Sequence, residues 1–195
     1  MAVRLKSPFT GVKGDKCFGC SRTNPHGLHL EFFEEGDDVL CRWKPDPKFQ
    51  SWDGVLHGGI TATILDETAG WTAMRRFQRT AMTTRLDVRY LKPALVNSGL
   101  IVARARYLKQ VNEKIARFIA TLENDAGVVL AEADADYYIM NEERSRAMGF
   151  TECAAETGAE VSRGLSDIAA GRKRSLKPKN DSLSHKEHKR EVEKK

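Results

Sequence analysis

One stretch, Gly58 to Phe77 (GGITATILDETAGWTAMRRF), limits what the rest of the chain can do. It contains no proline and no period-two alternation. Ile60, Ile64 and Trp71 recur on one side at helical spacing, and Leu65, Ala69 and Ala73 widen the apolar surface, as in a buried helix. Its glycines and threonines lower its intrinsic helix propensity, so packing must hold it in place.

What surrounds that helix reads as strand. GLHLEFF (27–33) and DDVLCRW (37–43) flank the turn signal Glu35-Gly36-Asp37 and read as a hairpin. Four longer runs follow the helix: 81–91, ending before Lys92-Pro93, then 99–111, 114–124 and 128–140. In the last run Val129, Ala131, Ala133, Ala135 and Tyr137 face one way, while Glu132, Asp134 and Asp136 face the other. One dry and one wet face describe an antiparallel sheet covered on a single side. A lone helix must bury itself against that dry face. The expected class is α+β, with a strongly curved antiparallel sheet wrapped around one long central helix. The expected division is an irregular lead-in (1–26), a folded domain (27–140) and a charged, largely disordered tail (141–195).

Charge locates itself in the tail. The chain carries a net +5, and Arg172–Lys195 alone holds ten Lys/Arg against four Asp/Glu. The folded part is therefore close to neutral, which argues against a nucleic-acid module built on the fold. The tail itself reads as a solubilising segment, or as one that meets acidic surfaces or nucleic acid. The sequence shows neither a signal-peptide core nor a membrane-length apolar run, so a cytoplasmic location is expected. Cys17 and Cys20 form a Cys-x-x-Cys in a Gly/Asn/Pro-rich lead-in. With no second matching pair for zinc and no strand-to-helix setting for a redox motif, reduced thiols packing a loop are expected, and no metal site.

The acidic pair Asp66-Glu67 inside the apolar run is costly unless it is paired or used. His-Gly-Gly at 57–59 heads the same segment. Together, HGGITATILDE (57–67) after WDGVL, with YLKPA (90–94) closing the next strand, resembles the signature of PaaI-like hotdog thioesterases. CFGCSRTNPHGLHLEF (17–32) is similar to the opening of many members. The resemblance spans residues 17–140. It implies a homodimer, possibly paired into a homotetramer, an acyl-CoA substrate, hydrolysis to free acid and CoA, and no metal or organic cofactor.

The chemistry is consistent with that resemblance. A helix head offers unpaired N–H groups and a positive dipole end, and Gly58 and Gly59 permit close approach to backbone. The Gly58 N–H is the expected oxyanion donor, with His57 positioning the carbonyl or the turn. Asp66, at the family's acid position, is the expected general base or nucleophile; both remain open. Eight residues of helix separate it from Gly58, about 12 Å of axial rise. Two antiparallel helices across a two-fold axis would bring Gly58 of one subunit to Asp66 of the other. The resemblance places Glu67 as second choice for the acid, Thr83 as a hydroxyl holding the water or the acid, and Ser51 where some relatives carry an amide. Arg89 and Lys92 are candidates for CoA phosphates. Trp52 and Trp71 read as core or pocket-lining residues. The competing readings are a non-catalytic acyl-CoA sensor and a hotdog hydratase using His57 with an acid.

Overall fold

The computed structural model describes residues 1–160. The helix α1 (Gly58–Phe77) forms over the apolar run and buries Thr61, Ile64, Leu65, Thr68, Ala69, Trp71, Thr72 and Ala73. The buried threonines satisfy their hydroxyls locally: Thr68 Oγ1 donates to Ile64 O at 2.6 Å and Thr72 Oγ1 to Thr68 O at 2.8 Å. Such back-bonding lets a polar residue sit in a core without an orphaned group.

Around α1 run β1 (Val3–Leu5), β2 (Glu31–Glu35), β3 (Asp38–Trp43), β4 (Ala81–Tyr90), β5 (Ile101–Gln110), β6 (Ile115–Asn124), β7 (Val129–Ile139) and β8 (Ala155–Glu160). They form one sheet in the order β4-β7-β6-β5-β3-β2-β1-β8, with every neighbouring pair antiparallel. The helix lies against β3, β4, β5, β6 and β7. The inward files are rich in alanine: Ala103 and Ala105 on β5, Ala116 and Ala120 on β6, Ala131, Ala133 and Ala135 on β7, all buried. Small side chains there let the helix seat closely in the curve. Trp71 stacks on Phe32 with ring centroids 4.3 Å apart, an arrangement that contributes about 0.5–1.5 kcal/mol beyond area burial.

Three expectations need amendment. The strand expected from residue 27 begins at Glu31. His29 takes a left-handed conformation (φ 53°), and the amides of Leu28 and Leu30 bond to Phe18 O and Gly19 O instead of joining the sheet. Folded structure also continues past residue 140: Asn141 caps a short helix α2 (Glu142–Ala147), and β8 pairs with β1 of the lead-in. Trp52, expected in the core or a pocket, is 83% exposed. The strongly basic segment from Arg172 lies outside the described residues.

Strand β4 carries one irregularity. Its register against β7 shifts between Thr83 and Arg85, with Thr84 as the extra residue. Thr84 Oγ1 donates to Asp136 O at 3.0 Å. A bulge of this kind re-aims side chains. Thr83, before it, and Leu86, Val88 and Tyr90, after it, all face α1 or its core.

Candidate active site

The head of α1 is pinned from both sides. Leu56 N donates to Ala94 O at 2.8 Å and His57 N to Phe49 O at 2.9 Å. His57 is the N-cap: its Nδ1 accepts from Gly59 N–H at 2.9 Å. An imidazole accepting at Nδ1 carries its proton on Nε2 in the neutral form. A Cβ at position 59 would lie 3.0 Å from that Nδ1, so glycine keeps the cap tight. Gly58 is the first helical residue, and its N–H has no intrahelical acceptor. Tyr90 from β4 reaches across and donates to Gly58 O at 2.8 Å. The helix head is thus a fixed, donor-bearing corner with an aromatic ring beside it.

Asp66 sits two turns further along and is half-buried. Its Oδ1 accepts from Thr83 Oγ1 at 2.9 Å and from Tyr137 OH at 2.7 Å, while the same phenol lies 2.6 Å from Asp66 O. Among the described residues Oδ2 makes no hydrogen bond, so one oxygen is held and the other is open. Burial, then the charge of Asp66, pushes the Tyr137 phenol well above its usual range, so it stays a donor. The Tyr137 ring is fixed edge-on to Phe118, with centroids 5.6 Å apart.

The structure brings Asp66 and Thr83 together and adds Tyr137. The expectation had placed Tyr137 on the inward face of β7 without a role. An inward tyrosine needs an acceptor for its hydroxyl, and the half-buried Asp66 carboxylate is that acceptor. Glu67 does not share the cleft. One residue on and about 100° around the helix, it is turned into the lead-in loop, with Oε1 3.4 Å from Cys17 Sγ. Burial, followed by the neighbouring Cys17, pushes the Glu67 carboxyl up to about 8. Ser51 is exposed and closes the turn before the helix through its own amide, which donates to Val55 O at 2.8 Å. Arg89 is paired with Glu132 on the outer face of the sheet.

The Thioesterase superfamily model matches residues 53–112, which run from the loop before α1 to just past β5. A curated relative, acyl-coenzyme A thioesterase THEM4 of Rattus norvegicus, is 31% identical over 86 residues; the match covers 42% of this chain and 36% of that protein. The chain thus spans about a third of the length of this relative. Among solved structures, thioesterase HI1161 of Haemophilus influenzae superposes with a TM-score of 0.55 at 19% identity, covering 63% of this chain and 85% of that one. Zebrafish thioesterase superfamily member 2 gives 0.52 at 24% identity, covering 57% and 81%. A single helix wrapped by an antiparallel sheet, shared with these structures, is the hotdog fold. The chain thus has the hotdog fold, and its residues 53–112 match the thioesterase superfamily.

Proposed function

We propose that the protein hydrolyses an acyl-CoA thioester to free acid and CoA, with Gly58 N–H polarising the carbonyl and Asp66 of a partner subunit activating water or attacking directly. The observation that carries this reading is the Asp66 carboxylate, with Oδ1 held by two hydroxyl donors from different strands and Oδ2 open. A merely structural carboxylate in an apolar run would be expected to have both oxygens satisfied.

Within one chain, about 12 Å of helix separates the polarising amide from the acid. The partner is needed to close the gap, and the exposed β4 supports one. It is a ten-residue edge strand with one unpaired side, and a long open edge invites pairing with a second copy. Met82, Tyr90, Leu91 and Leu95 lie exposed on or just beyond it. Edge-to-edge pairing of two copies would bring the two α1 helices alongside each other. His57, as cap, fixes the corner and presents Nε2–H outward.

The test measures CoA release by thiol trapping over a panel of aryl and medium-chain acyl-CoAs, with mass determination by light scattering. Turnover on at least one substrate, a drop of three or more orders of magnitude in Asp66→Asn, and an unchanged dimer or tetramer mass are expected. Binding without turnover would point instead to a sensor, and full activity in Asp66→Asn would refute the assignment of the acid.

A further inference from the structure

The Cys17-x-x-Cys20 pair does more than pack a loop. Cys17 Sγ, Cys20 Sγ and a Glu67 carboxylate oxygen all lie within 4.8 Å of one another. The sulfurs are 3.3 Å apart, and Cys17 Sγ is 3.4 Å from Glu67 Oε1. The third donor comes from fifty residues away, on the central helix, so the sequence spacing of the cysteines gives no sign of it. The loop is shaped to admit it: a Cβ at Gly19 would fall 2.4 Å from Glu67 Cδ. The buried indole N–H of Trp71 lies beside the Cys20 sulfur.

We propose that Cys17, Cys20 and Glu67 form a binding site for a borderline-soft divalent cation, Zn²⁺, that fastens the lead-in loop to helix α1 one residue from Asp66.

Distances separate this from the alternative, a disulfide. Two thiolates on one tetrahedral zinc at ~2.3 Å stand ~3.8 Å apart, and a thiolate and a carboxylate oxygen ~3.6 Å apart. The observed 3.3 and 3.4 Å need to open by no more than about half an ångström to reach those spacings. A disulfide needs the sulfurs to close by more than 1 Å, to ~2.05 Å. The donor set also suits zinc: two thiolates and a carboxylate, with a water from the open side of Cys17 completing the tetrahedron, as in three-ligand sites. Binding displaces whatever protons the three donors carry, because zinc takes thiolate and carboxylate. The site is separate from the acyl-CoA cleft, so the proposal stands or falls independently of hydrolysis.

The full-length protein, reduced and stripped with chelator, is titrated with Zn²⁺ against a chromophoric competitor and, in parallel, with Co²⁺. One equivalent per chain, with thiolate-to-cobalt charge-transfer absorption and tetrahedral d–d bands, is expected. Cys20→Ser should weaken zinc binding at least 100-fold. Gly19→Ala keeps both thiols but pushes the Glu67 carboxyl away, and should weaken binding about 10–100-fold. Wild-type protein that takes up no stoichiometric zinc and shows no thiolate–cobalt band would overturn the proposal. So would uptake undiminished in the Cys17→Ser/Cys20→Ser variant, or closure to an internal disulfide in air without affinity for either metal.

Discussion

The polarising role proposed for the Gly58 amide can be tested by replacing Gly58 with proline, which deletes one N–H and leaves the fold nearly untouched. Proline is tolerated at the first position of a helix because the N–H there bonds no helical carbonyl. The residue before a proline must be extended, and His57 already has φ −59° and ψ 132°. The nearest neighbour of a Cβ added at 58 is the Tyr90 ring, at an ordinary 3.5 Å. No hydrogen bond among the described residues is lost, so the melting temperature should change by no more than a few degrees. The rate is a different matter. An oxyanion donor contributes roughly 3–4 kcal/mol in the transition state, so kcat should fall about 100–1,000-fold. Gly58→Ala adds the same Cβ but keeps the N–H, and the ratio of the two variants separates donor from bulk. Steady-state CoA release on the best acyl-CoA, with circular dichroism as the folding control, makes the measurement. If Gly58→Pro folds and turns over within threefold of Gly58→Ala, the amide is not the polarising group.

Tyr137→Phe keeps the ring packing against Phe118 and removes one of two donors to Asp66 Oδ1. A hydrogen bond to a charged group contributes ~1.5–3 kcal/mol, so kcat should drop about tenfold or more with KM little changed. Thr83→Val removes the other donor, and because both hold one oxygen, the double variant should depart from additivity in a mutant cycle on kcat. Ile64, fully buried at the centre of α1, should cost about 2–5 kcal/mol when cut to alanine, read from the urea midpoint. Asp136 is held below the usual carboxylate range, first by its hydrogen bonds from Arg117. Its contribution to stability is present above the unfolded carboxylate value and is lost as pH falls through the folded one. Urea midpoints between pH 7 and pH 3 should therefore fall less steeply in Asp136→Asn than in the wild type.

The fold was legible because its two periods do not overlap. The β7 run alternates alanine with acid and can be half-buried only as a strand, whereas the Gly58–Phe77 run has no polar face wide enough for anything but a covered helix. The end of the folded part was misplaced although a signal was present: Asn141 followed by Glu142-Glu143, with Arg144 and Arg146 behind, is a capped helix start with charges suited to its dipole. The six residues of β8, by contrast, have no strand-forming character of their own, and their pairing with β1 is a tertiary fact. At the site, His57, Gly58 and Asp66 could be read because they lie within one helix and its cap. Tyr137 could have been found by asking where an inward phenol sends its hydroxyl. The partnership of Glu67 with Cys17 could not, since nothing local predicts which way a loop fifty residues distant will fold back.

The extra residue in β4 has a wider consequence. Seven positions separate Thr83 from Tyr90, an odd count that would set them back to back in an uninterrupted strand. Thr84 cancels the mismatch, so one strand carries two frames of alternation, one serving the acid and the other the head of the helix. Straightening the bulge with all its residues kept would turn Thr83 outward while Tyr90 stayed where it is, whereas deleting Thr84 would leave an even count of six and keep both inward. The bulge is therefore what lets a single strand reach both Asp66 and the helix head.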